Sequence, residues 1–555
     1  MRAAHRVATA VVSAGAVLLL GAPIASSDTG GTTGAEHTYI ALFKQGASSA
    51  GAQSKVEAAG GTLVVNHSQI GVVVAKSNRT DFAARLGADS RIEGVARSDT
   101  PVGKMGPAES AGVESHDEQP PELPNAPAGQ DSLSPLQWHM RQIQAPQANA
   151  ITGGSPAVVV GDIDTGVDKD HPDLVQNIDF SKSVSCEFGF PDPNPTAWDD
   201  HNGHGTHTTG TMAAAANGIG VTGVAPNVKI AAIKSSLDSG FFFVHQVVCS
   251  MLWAGGASFD NPATAGVDFP ATTGPRVDVT NNSYYMDPFL YNCRNDPAQR
   301  LLWKTAQRAI LFAYKQGVTH VAAQGNDSDD RAHPTFDASS PDFPPGEAIV
   351  RDDITNACVV VPLEVPGVIG VTAVGNVRQT DGNDDPNDFL KSFYSAYGVG
   401  VAEVTAPGGD QTQITPEAFN GRILSTWPID AVCSGPASRR IVEQGEPTAA
   451  YCYIQGTSMA SPHAAGVAAL IVSRYGDLDN PQNGKMRPGS VAAYLQQTAD
   501  PQPCPTVLPF PYNIITRPGG EPQECQGGEK YNAFYGNGQV NALRAVTHAA
   551  GNAGG

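Results

Sequence analysis

A stretch dense in small apolar residues, Ala464 to Val472, follows directly on Gly456-Thr457-Ser458-Met459-Ala460-Ser461-Pro462-His463. With no polar face to offer water, it reads as a helix buried inside a large fold. Gly456 allows a sharp turn ahead of it. Ser458 then stands at the N-terminal end of the helix, among unpaired backbone N–H groups and at the positive end of the helix dipole. Pro462 is expected in the first turn, where its missing N–H costs least. Such surroundings suit a nucleophilic serine beside a developing negative charge. A serine that only caps the helix is the commoner use of the position, so the rest of the chain has to decide.

A nucleophilic serine needs a base, and the base needs an acid to orient it. Ala157-Val158-Val159-Val160-Gly161-Asp162-Ile163-Asp164-Thr165-Gly166 supplies the acid. Its β-branched run places Asp164 at the C-terminal end of a buried strand, where open α/β sheets gather functional groups. Asp200-His201-Asn202-Gly203-His204-Gly205-Thr206-His207 precedes an Ala- and Thr-rich stretch, Thr208 to Ala216, so His204 should project from a helix start. A further strand-like block, Val321-Ala322-Ala323-Gln324-Gly325-Asn326, ends in an amide side chain.

These four blocks, in this order, resemble the signature blocks of the subtilisin-like serine proteases (peptidase S8). Asp, His, Ser is the chain order of that family among the unrelated folds that share the chemistry. The resemblance covers residues 134–550. It implies an α/β fold of three layers, with a central, mostly parallel sheet and helices on both faces. It implies that Ser458 attacks a peptide carbonyl, that His204 takes its proton, and that Asp164 fixes the imidazole tautomer. The Asn326 side chain and the Ser458 N–H would hold the oxyanion. No metal or organic cofactor takes part in those steps. Val277-Asp278-Val279-Thr280-Asn281-Asn282-Ser283-Tyr284-Tyr285 resembles the family's substrate-binding strand, which implies Asn282, Ser283, Tyr284, Tyr285 and Gly325 as residues that meet the substrate. An extended peptide would pair with its edge by main-chain hydrogen bonds. Tyr284 and Tyr285 stand where the family commonly has a Leu-Gly pair. Two readings stay open: the rings roof the pocket for the residue preceding the cut, or they pack on a neighbouring loop. Gln324 replaces the usual small residue before the Gly-Asn pair.

Other chemistries fit less well. Asp-Thr-Gly also marks aspartic proteases, which need two facing loops; the second candidate, Asp238-Ser239-Gly240, lies only 74 residues on, too close for two full lobes. His201, His204 and His207 are spaced three apart, but the His-Glu-x-x-His pattern and a nearby cysteine are both lacking, which disfavours zinc. The net charge of −20 disfavours nucleic acid or an anionic membrane as partner. Protein or peptide substrates, met by a monomer, are expected instead. Asp381-Gly382-Asn383-Asp384-Asp385-Pro386-Asn387-Asp388 offers oxygens for a structural calcium, which family members often carry. It lacks the glycine and distal glutamate of an EF-hand, and a solvated acidic loop is the commoner use.

Three pieces precede residue 134. Arg2, His5 and Arg6 lead into the apolar run Val7 to Ile24 and the small residues Ala25-Ser26-Ser27, which reads as a removable secretory signal over residues 1–27. Residues 37–98 follow a β-α-β-β-α-β pattern, with helices over Ser48–Ala59 and Asp81–Leu86. This small α+β, ferredoxin-like unit is similar to the propeptide inhibitors of subtilisin-like enzymes, which implies a zymogen whose own propeptide blocks the cleft. Residues 99–133, rich in Pro, Glu, Ser and Gly, read as a linker with the processing site. Eight cysteines suit an exported chain with disulfides, and closeness in sequence favours Cys433–Cys452 and Cys504–Cys525. No second apolar span follows, so release into the medium without a membrane anchor is expected. The whole reads as a secreted endopeptidase. The alternatives are an exopeptidase or dedicated processing protease on the same fold, and a catalytically silent binding protein.

Overall fold

The computed structural model describes residues 33–99, 126–259, 272–286, 289–340, 350–379, 388–434, 439–479, 484–508, 512 and 522–548. The signal expected over residues 1–27, linker residues 100–125, and the acidic loop Asp381–Asp388 except Asp388 itself lie outside them.

The N-terminal unit runs β1 (Thr33–Phe43), α1 (Ala52–Ala59), β2 (Thr62–His67), β3 (Val72–Arg79), α2 (Phe82–Gly87) and β4 (Ile92–Arg97). Its antiparallel sheet has the order β2-β3-β1-β4. Helix α1 starts four residues later than the pattern suggests, because Gly51 holds a φ of 73° that ends the preceding turn. Alternation along β1 gives the sheet two apolar faces. Tyr39, Ala41 and Phe43 pack with Val56 and Phe82 in the unit's own core, whereas Ile40 and Leu42, with Val72 and Ala96, join a core that belongs mostly to the rest of the chain.

The large unit is built on β5 (Val159–Asp164), β6 (Val184–Ser185), α3 (His204–Ala213), β7 (Lys229–Lys234), α4 (Val244–Ala254), β8 (Val279–Asn282), α5 (Pro297–Lys315), β9 (Thr319–Ala323), β10 (Val368–Arg378), β11 (Phe389–Lys391) and β12 (Val404–Pro407). The strand order is β11-β10-β9-β8-β5-β7-β6, with β12 also paired to β10. Every pairing is parallel except β10 with β11. Helix cover on both faces explains why these strands read as continuous apolar runs. A small antiparallel sheet, β13 (Ile423–Trp427), β14 (Arg440–Val442) and β15 (Ala450–Ile454), leads into α6 (Thr457–Tyr475). Residues of α3 and α6 share one core with Val160, Val321 and Ile369; residues of α4 and α5 share the other with Val159, Ile163 and Ala322.

The pairings Cys433–Cys452 and Cys504–Cys525 are present, joined by Cys186–Cys249 and Cys293–Cys358. Among the described residues no helix is long and apolar enough to cross a membrane.

Candidate active site

Asp164 is the last residue of β5 and His204 the first of α3. Alternation along β5 turns Val160, Asp162 and Asp164 to one face of the sheet, toward α3 and α6. His204 Nδ1 lies 2.7 Å from Asp164 Oδ1, and Thr165 N donates to the same oxygen at 2.7 Å. Both side chains of the pair are buried. The carboxylate thereby holds the ring as its Nδ1–H tautomer and leaves Nε2 as the acceptor. Among the described residues, His204 Nε2 has no hydrogen-bond partner.

Two devices fix the start of α3. Asp200 Oδ1 accepts from Gly203 N at 3.0 Å, and its Oδ2 accepts from Thr206 N at 3.0 Å and Thr206 Oγ1 at 2.6 Å. Asp200 therefore does the capping that Gly203, with no side chain, cannot do. Gly205 passes so close to the neighbouring loop that a Cβ there would lie 2.2 Å from the Gly166 carbonyl oxygen. His207 serves a different end. Its Nε2 lies 3.2 Å from the Ile423 carbonyl and 3.1 Å from that of Cys452, and burial pushes its pKa down to about 3. His201 is exposed. Among the described residues, no group of three His, Cys, Asp or Glu side chains is arranged to hold a metal ion.

Ser458 is the second residue of α6 and is fully buried. Its Oγ lies 3.4 Å from the Ser283 carbonyl, and Ser283 Oγ donates to the Ser458 carbonyl at 3.0 Å. The helix starts at Thr457, which corrects the expectation for Pro462: the proline falls in the second turn, not the first. A proline there deprives the carbonyl four residues earlier of its helical N–H. That carbonyl belongs to Ser458, and Ser283 supplies the missing bond. Asn326 follows β9. Its Oδ1 accepts from Thr457 N and Thr457 Oγ1, both at 2.9 Å, while Gly325 N donates to Thr457 Oγ1 at 3.0 Å. Thr457 thus sets which way round the Asn326 amide lies. Because β5, β8 and β9 are parallel, Asp164, Ser283 and Asn326 stand at the same carboxyl edge of the sheet.

The other substrate-strand candidates divide. Asn282 is buried, and its Nδ2 donates to Thr280 Oγ1 and the Val321 carbonyl, both at 2.9 Å. The Tyr284 ring is buried and stacks on Phe242 at 4.5 Å between centroids, with its hydroxyl donating to Asn282 Oδ1 at 3.2 Å. Of its two open readings, Tyr284 takes the second and packs on a neighbouring segment. Tyr285 is half-buried against the same core.

Asp162 was not singled out by the sequence, although it stands two residues before Asp164 and so on the same strand face. Thr208 Oγ1 and Thr209 Oγ1 donate to its Oδ2 at 2.7 Å, and Asn281 Nδ2 donates to its Oδ1 at 2.9 Å. Ser461 Oγ in turn donates to Asn281 Oδ1 at 2.6 Å. One carboxylate so ties β5 to α3, β8 and α6. Burial, and then the neighbouring Asp164, push its pKa up to about 8.

The sequence pattern of the Subtilase family matches residues 155–538, more than half of the chain. The chain belongs to the subtilase family. This subtilase is 28% identical over 347 residues to the alkaline protease of Alkalihalobacillus alcalophilus, a match spanning 62% of each chain. It is 28% identical over 369 residues to thermitase of Thermoactinomyces vulgaris, spanning 66% of this chain and 90% of that one. It is 30% identical over 339 residues to subtilisin DY of Bacillus licheniformis, spanning 60% and 83%. Its fold is similar to that of the epidermin leader peptide processing serine protease of Staphylococcus aureus, with 20% identity, a TM-score of 0.59, and 94% of this chain and 100% of that one covered. It is also similar to that of fervidolysin from Fervidobacterium pennivorans, a keratinolytic enzyme related to subtilisin, with 22% identity, a TM-score of 0.59, and 94% and 62% covered. The match to the alkaline protease spans 62% of that protein's length, and the chain has the subtilase family's three-layer fold.

Proposed function

We propose that this subtilase is a secreted serine endopeptidase, made as a zymogen, that cuts proteins or peptides through an acyl-enzyme on Ser458. The observation that carries the reading is the buried 2.7 Å contact between His204 Nδ1 and Asp164 Oδ1 at the carboxyl edge of the sheet. His204 Nε2 takes the Ser458 proton as Oγ attacks the peptide carbonyl, and Asp164 stabilises the imidazolium that forms. Bonds of this relay are often long in an enzyme without substrate and tighten when one binds. The Asn326 side-chain N–H and the Ser458 N–H receive the oxyanion, at a helix start where negative charge is favoured. His204 then passes its proton to the leaving amine, and a water activated by the same ring releases the acyl group.

The N-terminal unit supports the zymogen reading by its seat on α4 and α5. Arg308 Nη1 donates to the carbonyls of Phe43 and Ile70 at 2.8 and 3.1 Å, and Ser98 Oγ lies 2.9 Å from His245 Nδ1.

Labelling with a fluorophosphonate tests the nucleophile. The wild-type chain is expected to label and Ser458→Ala to stay unlabelled; labelling that survives in Ser458→Ala sinks the assignment. Product lengths from a mixed peptide library then test the mode of cutting. Internal cuts in many sequences are expected. Release of terminal residues only, or a cut in a single sequence, overturns the endopeptidase reading in favour of an exopeptidase or a dedicated processing enzyme.

A further inference from the structure

The Arg331 guanidinium is fully buried five residues beyond Asn326, and no step of the proposed mechanism uses it. Its Nε donates to the Gln324 carbonyl at 3.2 Å, and its Nη1 and Nη2 grip the Asp327 carboxylate at 2.9 and 2.6 Å. Gln324 and Asp327 flank Gly325-Asn326 on either side, so one planar group brackets that turn. The bracket is anchored outside the turn as well. Nη1 donates to the Tyr291 hydroxyl at 2.6 Å, the Tyr291 hydroxyl donates to Asp329 Oδ2, and Asp329 lies 3.8 Å from Nη1. Gly325 holds a φ of 118°, and a Cβ there would sit 2.1 Å from Arg331 Nη2, so the guanidinium fills the space beside the turn.

We infer that Arg331 is a positioning residue for the oxyanion site, holding the Gly325–Asn326 turn on one side while Thr457 holds the Asn326 amide on the other. The inference rests on the role proposed for Asn326. A donor to the oxyanion has to stand at hydrogen-bond distance from where the charge develops, so a small tilt of the turn costs rate rather than substrate affinity. A guanidinium meets both carboxylate oxygens and a carbonyl in one plane. A lysine keeps the charge but not the fork. The cluster also explains why so costly a group is buried here: an arginine stripped of its partners in the interior would be strongly unfavourable, whereas this one has partners for each of its three nitrogens.

A double-mutant cycle in the full chain, after self-processing, tests this. Arg331→Lys is expected to lower kcat on a peptide substrate by about 10–100-fold with KM within about twofold, as a sub-ångström misplacement would. In an Asn326→Ala background the same substitution is expected to cost less than about twofold, because the donor that it displaces is already gone. An equal loss in both backgrounds, or no loss in the first, overturns the inference and leaves the proposed mechanism standing. Asn326→Ala at the wild-type rate overturns the mechanism itself, and the inference with it. Melting temperatures show whether Arg331→Lys folds. If it does not, Asp327→Asn, which weakens one arm of the bracket, is carried through the same cycle with the same two outcomes.

Discussion

Asp162 and Asp164 share one face of β5, yet three side-chain donors surround the first and an imidazole the second. For Asp162, burial raises the pKa from the usual carboxylate value to about 8. Between pH ~4 and ~8 the folded chain therefore keeps a proton there that the unfolded chain has lost, so this group's contribution to stability falls as pH rises through that window. Asp162→Asn removes the slope. Its stability relative to the wild-type chain is expected to improve steadily from pH 5 to pH 8, measured by thermal unfolding with both chains in a Ser458→Ala background. Parallel curves would refute this. Asn326→Ala is expected to cut kcat by about 10²–10³ with little change in KM, a magnitude that comes from subtilisin, a member of this family. Asp164, His204, Asn326 and Ser458 stood out in the sequence because each lies in a short motif with its own local geometry, and their catalytic roles belong to the proposal. Asp200 lay in a quoted motif but does its work through Gly203 and Thr206. Arg331 carried no local signal, since its partners include Tyr291, which is distant in the chain. The direction of the Tyr284 ring was equally hidden, because Phe242 decides it.

Helix starts are the elements on which the site depends. Gly205 lets the first turn of α3 lie against the loop after β5. Gly205→Ala would place a methyl group 2.2 Å from the Gly166 oxygen, a backbone atom that cannot swing aside. The helix start is expected to shift, with a loss of about 1–3 kcal/mol in stability, as overpacking of a tight interior usually costs. The His204–Asp164 contact would go with it. A lowered melting temperature together with fluorophosphonate labelling slowed well beyond that of the wild type checks both; unchanged labelling would refute it. The type and order of these elements could be read in advance, as could the β-α-β-β-α-β order of the N-terminal unit, because apolar runs and glycines mark them. Their ends could not. Helix α6 begins at Thr457, ahead of Pro462, because Ser283 from β8's far end takes over the Ser458 carbonyl. No window of the sequence around Ser458 contains that partner.

At the scale of the whole molecule, the two units meet along a seam that contains His67 and His245. Burial pushes the pKa of each down to about 4; His67 faces Phe259, and His245 meets Ser98 with Asp99 and Lys76 nearby. An exposed imidazole titrates near pH ~6.5, so between ~6.5 and ~4 the separated units bind protons that the docked ones do not. Docking is therefore expected to be strongest above pH ~6.5 and to weaken as the medium is acidified through that window. Hydrogen exchange of residues 37–98 in the Ser458→Ala chain, compared between neutral and acid pH, should show faster opening in acid. The pair His67→Gln and His245→Gln should flatten that difference; an undiminished acid response in the double variant would refute the role of these rings. The sequence foretold two units but not their seam, because whether Ile40 and Leu42 meet their own sheet's helices or those of another unit depends on how the two sheets are stacked. Ile40, Leu42, Val72 and Ala96 lie in the same oily interior as α4 and α5. Whatever leaves must wet those four side chains and the wall that they covered. On the proposed zymogen reading, cutting the chain leaves that shared interior intact, and release of the N-terminal unit has to hydrate it afresh.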